Sequence, residues 1–547
     1  MLSENWATLW EALAAAQPDR VAVVLGDVEI RWKDLDDRAS RLAAAFAAHG
    51  VGHDAKVAQL MYNCPEYLES AYATFKLRAS TVNVNYRYRA PEIVHVVTDS
   101  DSSVLVFHSS FAATVAEAMP SLPNVVLFVQ VDAGEGAPLL DGAVSYEALV
   151  AAHEPMAPIE RSGDDALLCY TGGTTGLPKG VVWTHGALFG ALAYTGYATL
   201  GVAVPSSIAE VADIAVGLAD SGASPVNMTA PPLMHGTGLF LAFSTFVLGG
   251  KVVLLASRRF DPAELLRLVQ RERVTQLSIV GDAFARPVLE ELDRAEAAGT
   301  PYDLSSLRRV VSTGATFSSD LKRRLMTRAP DTMIIDMIGA SEGGPFAMAV
   351  TMPGQVPPET AEFFATPATV VFDDETWQRL PPGSGRVGRL AVSGPIPERY
   401  YGDPEKSAAT FREIDGVQYT MPGDYAEIEA DGLVRLLGRG SVCINTAGEK
   451  VYPEEVEVAA RSHPGVQDCV VVGVPDERFG QRVVLVAARA SNASVSQDDL
   501  IAHIRSQIAA YKAPRRVVFV EQVYRTPSGK TDYRWAREIA VAEAGAR

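Results

Sequence analysis

The sequence predicts an α/β protein: a large N-terminal body of several subdomains with mainly parallel sheets, and a small α+β C-terminal domain. Three observations predict it. The chain has 547 residues, too many for one core. Short apolar runs alternate with helical apolar spacing through most of the chain, as in strands joined by crossover helices. Beyond Arg439 the order becomes strand, helix, strand, strand, helix, strand, which suits a compact α+β unit. The expected domains are 1–438 and 442–547, joined at 439–441.

Trp6 to Ala15 and Leu35 to His49 have helical spacing, and Val21 to Leu25 and Val57 to Met61 read as strands. Gly238 to Gly250 is the most apolar run. It is too short to span a bilayer and suits a core helix. Gly201 to Ala230 is long and polar, so a lid or substrate-facing insertion is expected there. Ile208, Val211, Ile214 and Leu218 recur within it at helical spacing and offer one apolar face. Pro381 to Gly385 is a turn cluster, with short strands at Val387 to Ser393 and Leu433 to Gly438. In the C-terminal domain, helices are expected over Pro453 to His463 and Ser496 to Ala510. Strands are expected over Gln467 to Val474, Arg482 to Ala488 and Val517 to Glu521.

Hydrophobic residues make up 48% and charged residues 21%, ordinary for a globular protein. The net charge of −18 argues against non-specific nucleic-acid binding. Cys64, Cys169, Cys443 and Cys469 lack metal-like spacing and suggest free thiols in a reducing compartment. Without a visible signal peptide or membrane span, a cytoplasmic location is expected.

The chemistry centres on Tyr170-Thr-Gly-Gly-Thr-Thr-Gly-Leu-Pro-Lys-Gly-Val-Val-Trp-Thr-His185. An apolar strand at Asp165 to Cys169 precedes it, and His185 to Tyr197 suits a helix. A strand, a Gly/Thr loop and a helix suit anionic phosphates: glycines let backbone N–H groups approach, hydroxyls add donors and lysine adds charge. Leu177 and Pro178 separate Gly176 from Lys179, so this is not a Walker loop. A glycine-rich surface turn is the plain alternative. Four further stretches carry candidates: Pro232-Leu-Met-His-Gly-Thr-Gly238, Ser312-Thr-Gly-Ala-Thr316 with Asp336-Met-Ile-Gly-Ala-Ser-Glu342, Tyr419-Thr-Met-Pro-Gly-Asp424 with Arg439, and Thr526-Pro-Ser-Gly-Lys530. Taken singly, each also fits a turn or a capped helix.

The Gly/Thr stretch closely resembles the phosphate loop of the acyl-adenylate-forming superfamily of acyl-CoA synthetases, adenylation domains and luciferases. It matches from Gly173 to Gly180, with Gly172 where serine is usual. The resemblance runs in family order to Lys530 and implies a site residue by residue. Thr171, Gly173, Thr174, Thr175, Gly176 and Lys179 would hold ATP phosphates. His235, Gly236, Thr237 and Gly238 would line the acyl pocket, with His235 as its gate. Gly314, Ala315, Ile338 and Gly339 would border the adenine, Ile338 standing where an aromatic residue is usual. Ser341 would lie near the α-phosphate, and Glu342 would hold Mg²⁺. Asp424 and Arg439 would hold the ribose. Ser441 would be the hinge of a mobile C-terminal domain, in place of the usual Asp or Lys. Gly448 would line the pantetheine tunnel of CoA, and Lys530 would be the catalytic lysine.

The sequence also resembles actinobacterial steroid-type acyl-CoA ligases. The activity implied is an AMP-forming acyl-CoA ligase acting on a bulky apolar carboxylic acid, such as a terpenoid or polycyclic acid. The small residues Gly236, Gly238, Gly314 and Ala315 are expected to leave room for such a group. An enzyme running mainly one half-reaction, or passing the acyl group to a carrier protein or an amine, shares these motifs. A non-catalytic nucleotide-binding protein on the same fold is disfavoured by Lys179, Glu342 and Lys530. The oligomeric state is left open, a homodimer being one option.

Overall fold

Strands covered on both faces read as unbroken apolar runs, because helices shield either side of a parallel sheet. Val21–Leu25 (VAVVL) and Ser102–His108 (SSVLVFH) are such runs, and both are interior strands, flanked on each side, in the computed structural model of the chain. It describes all residues except 1, 133, 135, 172–177, 359–361, 440–443, 447–448, 477–479, 492, 509, 511, 527–530 and 545–547.

Two mainly parallel sheets carry the N-terminal body. One has eight strands, with Ser80–Asn83, Lys56–Leu60, Ser102–His108 and Leu127–Val131 parallel at its centre. Lys179–Thr184 and Arg399–Tyr400 add antiparallel strands at one edge. The other has nine strands. Lys251–Leu254, Val226–Thr229, Gln276–Ile279, Arg309–Thr313 and Met333–Ala340 run parallel, and the last turns back into Gly343–Thr351. A third sheet of seven strands is antiparallel and includes Gly388–Ser393, Val417–Thr420, Asp424–Ile428 and Val434–Arg439.

Helix Trp6–Ala16 sits at the centre of the largest core. Trp6 and Trp10 are fully buried among Phe75, Phe243 and Phe246, with ring centroids 5.1–5.9 Å apart. The Trp6 backbone N–H donates to His185 Nδ1 at 3.0 Å. Burial pushes His185 down to about 3, so its ring stays a neutral acceptor.

The lid expected over Gly201 to Ala230 is corrected here. That stretch holds helix Ile208–Asp220 and strand Val226–Thr229. The apolar face of the helix packs on Trp6–Ala16, with Val211, Ala215 and Leu218 buried in the tryptophan core. A face already covered by a neighbouring helix cannot wall a substrate pocket.

In the C-terminal part, Val466–Asp476 and Gly480–Arg489 pair antiparallel, and Arg516–Val520 adds a parallel strand. Alternation splits Val466–Asp476 between two cores. Cys469 and Val471 face helix Pro453–Arg461, while Val470, Val472 and Val474 face Ala536 and Ala540 of Tyr533–Ala544. Cys64, Cys169 and Cys469 are buried and form no disulfide among the described residues, and Cys443 lies outside them. Among the described residues, no helix is long and apolar enough to cross a membrane.

Candidate active site

Ala166–Thr171 (ALLCYT) and Lys179–Thr184 (KGVVWT) pair antiparallel, which sets Thr171 directly opposite Lys179. Gly173, Thr174, Thr175 and Gly176 fall between them, outside the described residues. The expected strand–loop–helix layout is therefore corrected. Lys179–Thr184 is itself a strand, and helix His185–Ala198 begins only after it. Its residues Val181, Val182 and Trp183 are all buried, and its far edge pairs with Arg399–Tyr400. The helix N-terminus thus does not open the Gly/Thr stretch, and its dipole is not the source of positive potential there.

Charge comes instead from Lys179, whose ammonium is ion-paired with Asp403. Asp403 caps helix Pro404–Thr410, accepting from the Lys406 N–H at 2.9 Å. The hydrogen bond from Lys179 holds the Asp403 carboxyl below the usual carboxylate range.

Asn83, 6% exposed at the end of its strand, binds this hairpin to the histidine turn. Its Oδ1 accepts from the Tyr170 N–H at 2.6 Å, and its Nδ2 donates to Tyr170 O at 2.9 Å and to Met234 O at 2.6 Å. His235 follows as the N-cap of Gly236–Val247. A Cβ on Gly236 would lie 3.7 Å from Ser341 Oγ, so Gly236 abuts the Ser341–Glu342 turn. Gly238 differs from expectation. A Cβ there would stand 2.4 Å from Pro232 O, so this glycine permits the tight turn and leaves no room for a ligand.

Ser341 and Glu342 form the tip between Met333–Ala340 and Gly343–Thr351, pinned from three strands. Trp183 Nε1 donates to Ser341 O at 2.9 Å. Tyr400 OH donates to Glu342 Oε1 at 2.7 Å, and Thr420 Oγ1 donates to Glu342 O at 2.6 Å. Gly343 has φ +143°, and a Cβ on it would meet Thr420 Cγ2 at 2.5 Å, so the turn requires glycine. Glu342 is 9% exposed.

The expected adenine residues come together at the ends of neighbouring parallel strands. A Cβ on Gly339 would lie 3.8 Å from Thr313 Oγ1, and Gly314 and Ala315 follow Thr313 directly. Ile338 is partly buried against the cluster containing Phe346 and Leu390. Asp282 clamps the segment after Ala315. Its N–H donates to Thr316 O at 2.8 Å, its Oδ1 accepts from the Ser318 N–H at 2.7 Å, and burial pushes its carboxyl up.

Asp424 and Arg439 are opposed in the antiparallel ladder of their strands. Ser441, Gly448 and Lys530 lie outside the described residues. Among the described residues, no three His, Cys, Asp or Glu side chains cluster to hold a metal. Glu342 fits Mg²⁺ nonetheless, because that ion is commonly held by one or two carboxylates, with phosphate and water oxygens completing its shell.

Asn83, Tyr400 and Asp403 were not apparent as site residues from the sequence. Asn-Val-Asn85 and Arg-Tyr-Tyr401 carry no local signal of such a role, and their contacts here span 58 to 224 residues.

The sequence profile of the AMP-binding enzyme family matches residues 10–401, and that of the AMP-binding enzyme C-terminal domain matches 455–530. The chain belongs to the AMP-binding enzyme family. Within it, the chain is 40% identical to the medium-chain acyl-CoA ligase Mig of Mycobacterium avium, covering 97% of each protein. It is likewise 40% identical to the 3-oxocholest-4-en-26-oate–CoA ligase of Rhodococcus rhodochrous, over 98% of this chain and 95% of that one. The fold of this AMP-binding enzyme is similar to that of the anthranilate CoA ligase AuaEII crystallised with anthranoyl-AMP. The TM-score is 0.82 at 22% identity, over 100% of this chain and 99% of the other.

Proposed function

We propose that this AMP-binding enzyme is an ATP-dependent acyl-CoA ligase that activates an apolar carboxylic acid as acyl-AMP and passes the acyl group to CoA. The observation that carries the reading is the approach of the His235–Gly236 turn to the Ser341–Glu342 tip, which Tyr400 holds and which Trp183, on the same strand as Lys179, also holds. It is supported by two relatives, at 40% identity, named as acyl-CoA ligases.

In the first half-reaction the acid's carboxylate oxygen attacks the α-phosphorus of ATP. A new P–O bond forms, and pyrophosphate leaves with the electrons of the broken bond. Thr171 and Lys179, with Thr174 and Thr175, would bind the β- and γ-phosphates, the ammonium exchanging Asp403 for phosphate oxygens. Glu342, oriented by Tyr400, would hold Mg²⁺, which when bound offsets phosphate charge. Lys530 would bridge the carboxylate and the α-phosphate, so rate enhancement is mainly electrostatic. Asp424 and Arg439 would fix the ribose, and Gly314, Ala315, Ile338 and Gly339 would border the base.

In the second half-reaction the 442–547 domain would turn about Ser441, withdrawing Lys530 and presenting Gly448. The CoA thiolate then attacks the acyl carbonyl, and AMP departs. His235 would gate that approach.

The acid is a medium-chain or polycyclic one, in keeping with the substrates in the relatives' names. Comparing kcat/KM for acetate, dodecanoate and a polycyclic carboxylic acid tests this. Both larger acids are expected to exceed acetate by at least about 10²-fold, since apolar burial contributes roughly 25 cal/mol per Å². A preference for acetate would contradict the assignment of an apolar acid.

A further inference from the structure

A cation with no counter-ion among the described residues lies beneath helices His185–Ala198 and Gly236–Val247. Arg309 opens the Arg309–Thr313 strand and is 6% exposed. Its backbone N–H donates to Thr275 O at 3.0 Å, whereas its enclosed Nε has no acceptor, and no carboxylate among the described residues pairs with the guanidinium. Burial alone lowers its pKa. Buried charge is unfavourable unless paired or hydrogen-bonded, so a core strand would ordinarily place an apolar side chain here.

Arg309 lines a cavity of about 30 Å³ with Gln276, Ser244, Leu241, Val311 and Met337. That is space for about one or two waters, or for one terminal oxygen and its carbon. The cavity is aligned with the active site. Side chains alternate along a strand, so Arg309, Val311 and Thr313 share one face, as do Ile335, Met337 and Gly339 on the adjacent strand. Thr313 and Gly339 approach each other at the other end of this row, where Gly314 begins the candidate adenine segment. Four residue steps along the strand separate the two ends, roughly 13 Å. Ile335 and Val311 lie between the two ends, and Met337, level with Thr313, is an unbranched, adaptable side chain that yields to a ligand at low energetic penalty.

We propose that Arg309 is the far-end anchor of the acyl pocket, donating to an oxygen acceptor (a ketone, a hydroxyl or a second carboxylate) on the end of the acid remote from the reacting carboxyl. The inference rests on the acyl-CoA ligase reading and deepens it: the substrate class is an apolar acid oxygenated at its distal end. Arg309 is a specificity determinant and takes no part in bond making.

The test compares matched acids on wild type, Arg309→Met and Arg309→Lys. The pairs are 5β-cholanic acid with its 3-oxo derivative, and dodecanoate with dodecanedioate. Binding is read by thermal shift without ATP or CoA, and turnover by CoA-thioester formation with KM and kcat separated. Wild type is expected to favour the oxygenated member of at least one pair by about 10- to 100-fold, as a hydrogen bond to a charged group implies. Arg309→Met should bring that ratio close to one through KM while sparing kcat on the plain acid, and Arg309→Lys should restore part of it. If Arg309→Met does not fold, the wild-type ratio and its reduction in Arg309→Lys decide the matter.

No preference in wild type, or an unchanged ratio in the variants, overturns the anchor and leaves water as the occupant of the cavity. Thioester formation without preference removes the anchor alone. A binding preference lost in Arg309→Met, with no thioester from any acid, removes the ligase reading and leaves the anchor standing.

Discussion

Lys530→Ala is expected to slow acid-dependent adenylation by about 10²-fold or more, the loss typical of removing a charge-stabilising group from a site where negative charge develops. The same variant should convert supplied acyl-AMP and CoA to thioester at nearly the wild-type rate. The asymmetry follows from placing the lysine on a domain that turns away before thiolysis. Lysine suits the first role because its ammonium is a compact charge on a flexible stem, able to bridge a carboxylate and a phosphate. Rapid-quench measurement of each half-reaction separately checks this. Equal loss in both would contradict the two-orientation scheme.

Glu342→Gln is expected to lower pyrophosphate formation by about 10²–10³-fold at fixed Mg²⁺, again by removing an electrostatic contribution, and to raise the Mg²⁺ concentration needed for half-maximal rate. The substitution should leave the fold intact. The glutamine carbonyl still accepts from Tyr400 OH, and the Thr420 bond goes to the backbone carbonyl of residue 342. Thermal unfolding within a few degrees of wild type, together with the rate loss, is the expected pair of results. A rate within a few-fold of wild type would remove Glu342 from the metal role.

The fold class was legible because its signals are local. Unbroken Val/Ile/Leu runs mark doubly covered strands, and helical spacing marks their partners, so the α/β body and the α+β C-terminal part both follow from short windows. The ordered motifs likewise brought Lys179, His235, Glu342 and Asp424 forward. What escaped were features set by distant packing. Lys179 to Thr184 reads as a continuation of the Gly/Thr loop, although Val181 and Val182 carry a strand signal. Only pairing with Ala166–Thr171 and Arg399–Tyr400 makes it a strand inside a sheet. The Ile208 face is apolar in either setting, and its burial depends on a helix near the start of the chain. Gly238 is small because Pro232 O approaches from its own turn. Asn83, Tyr400 and Asp403 act through partners far along the chain, and Arg309 is conspicuous only once its burial is known.

The central claim is that one site first makes an acyl-adenylate and then a thioester. Acid-dependent exchange of labelled pyrophosphate into ATP, measured with and without CoA, tests it most directly. The account predicts exchange that requires the acid and Mg²⁺ but not CoA, with AMP and acyl-CoA appearing in equal amounts once CoA is added. Absence of acid-dependent exchange, or formation of ADP and phosphate in place of AMP and pyrophosphate, would contradict it.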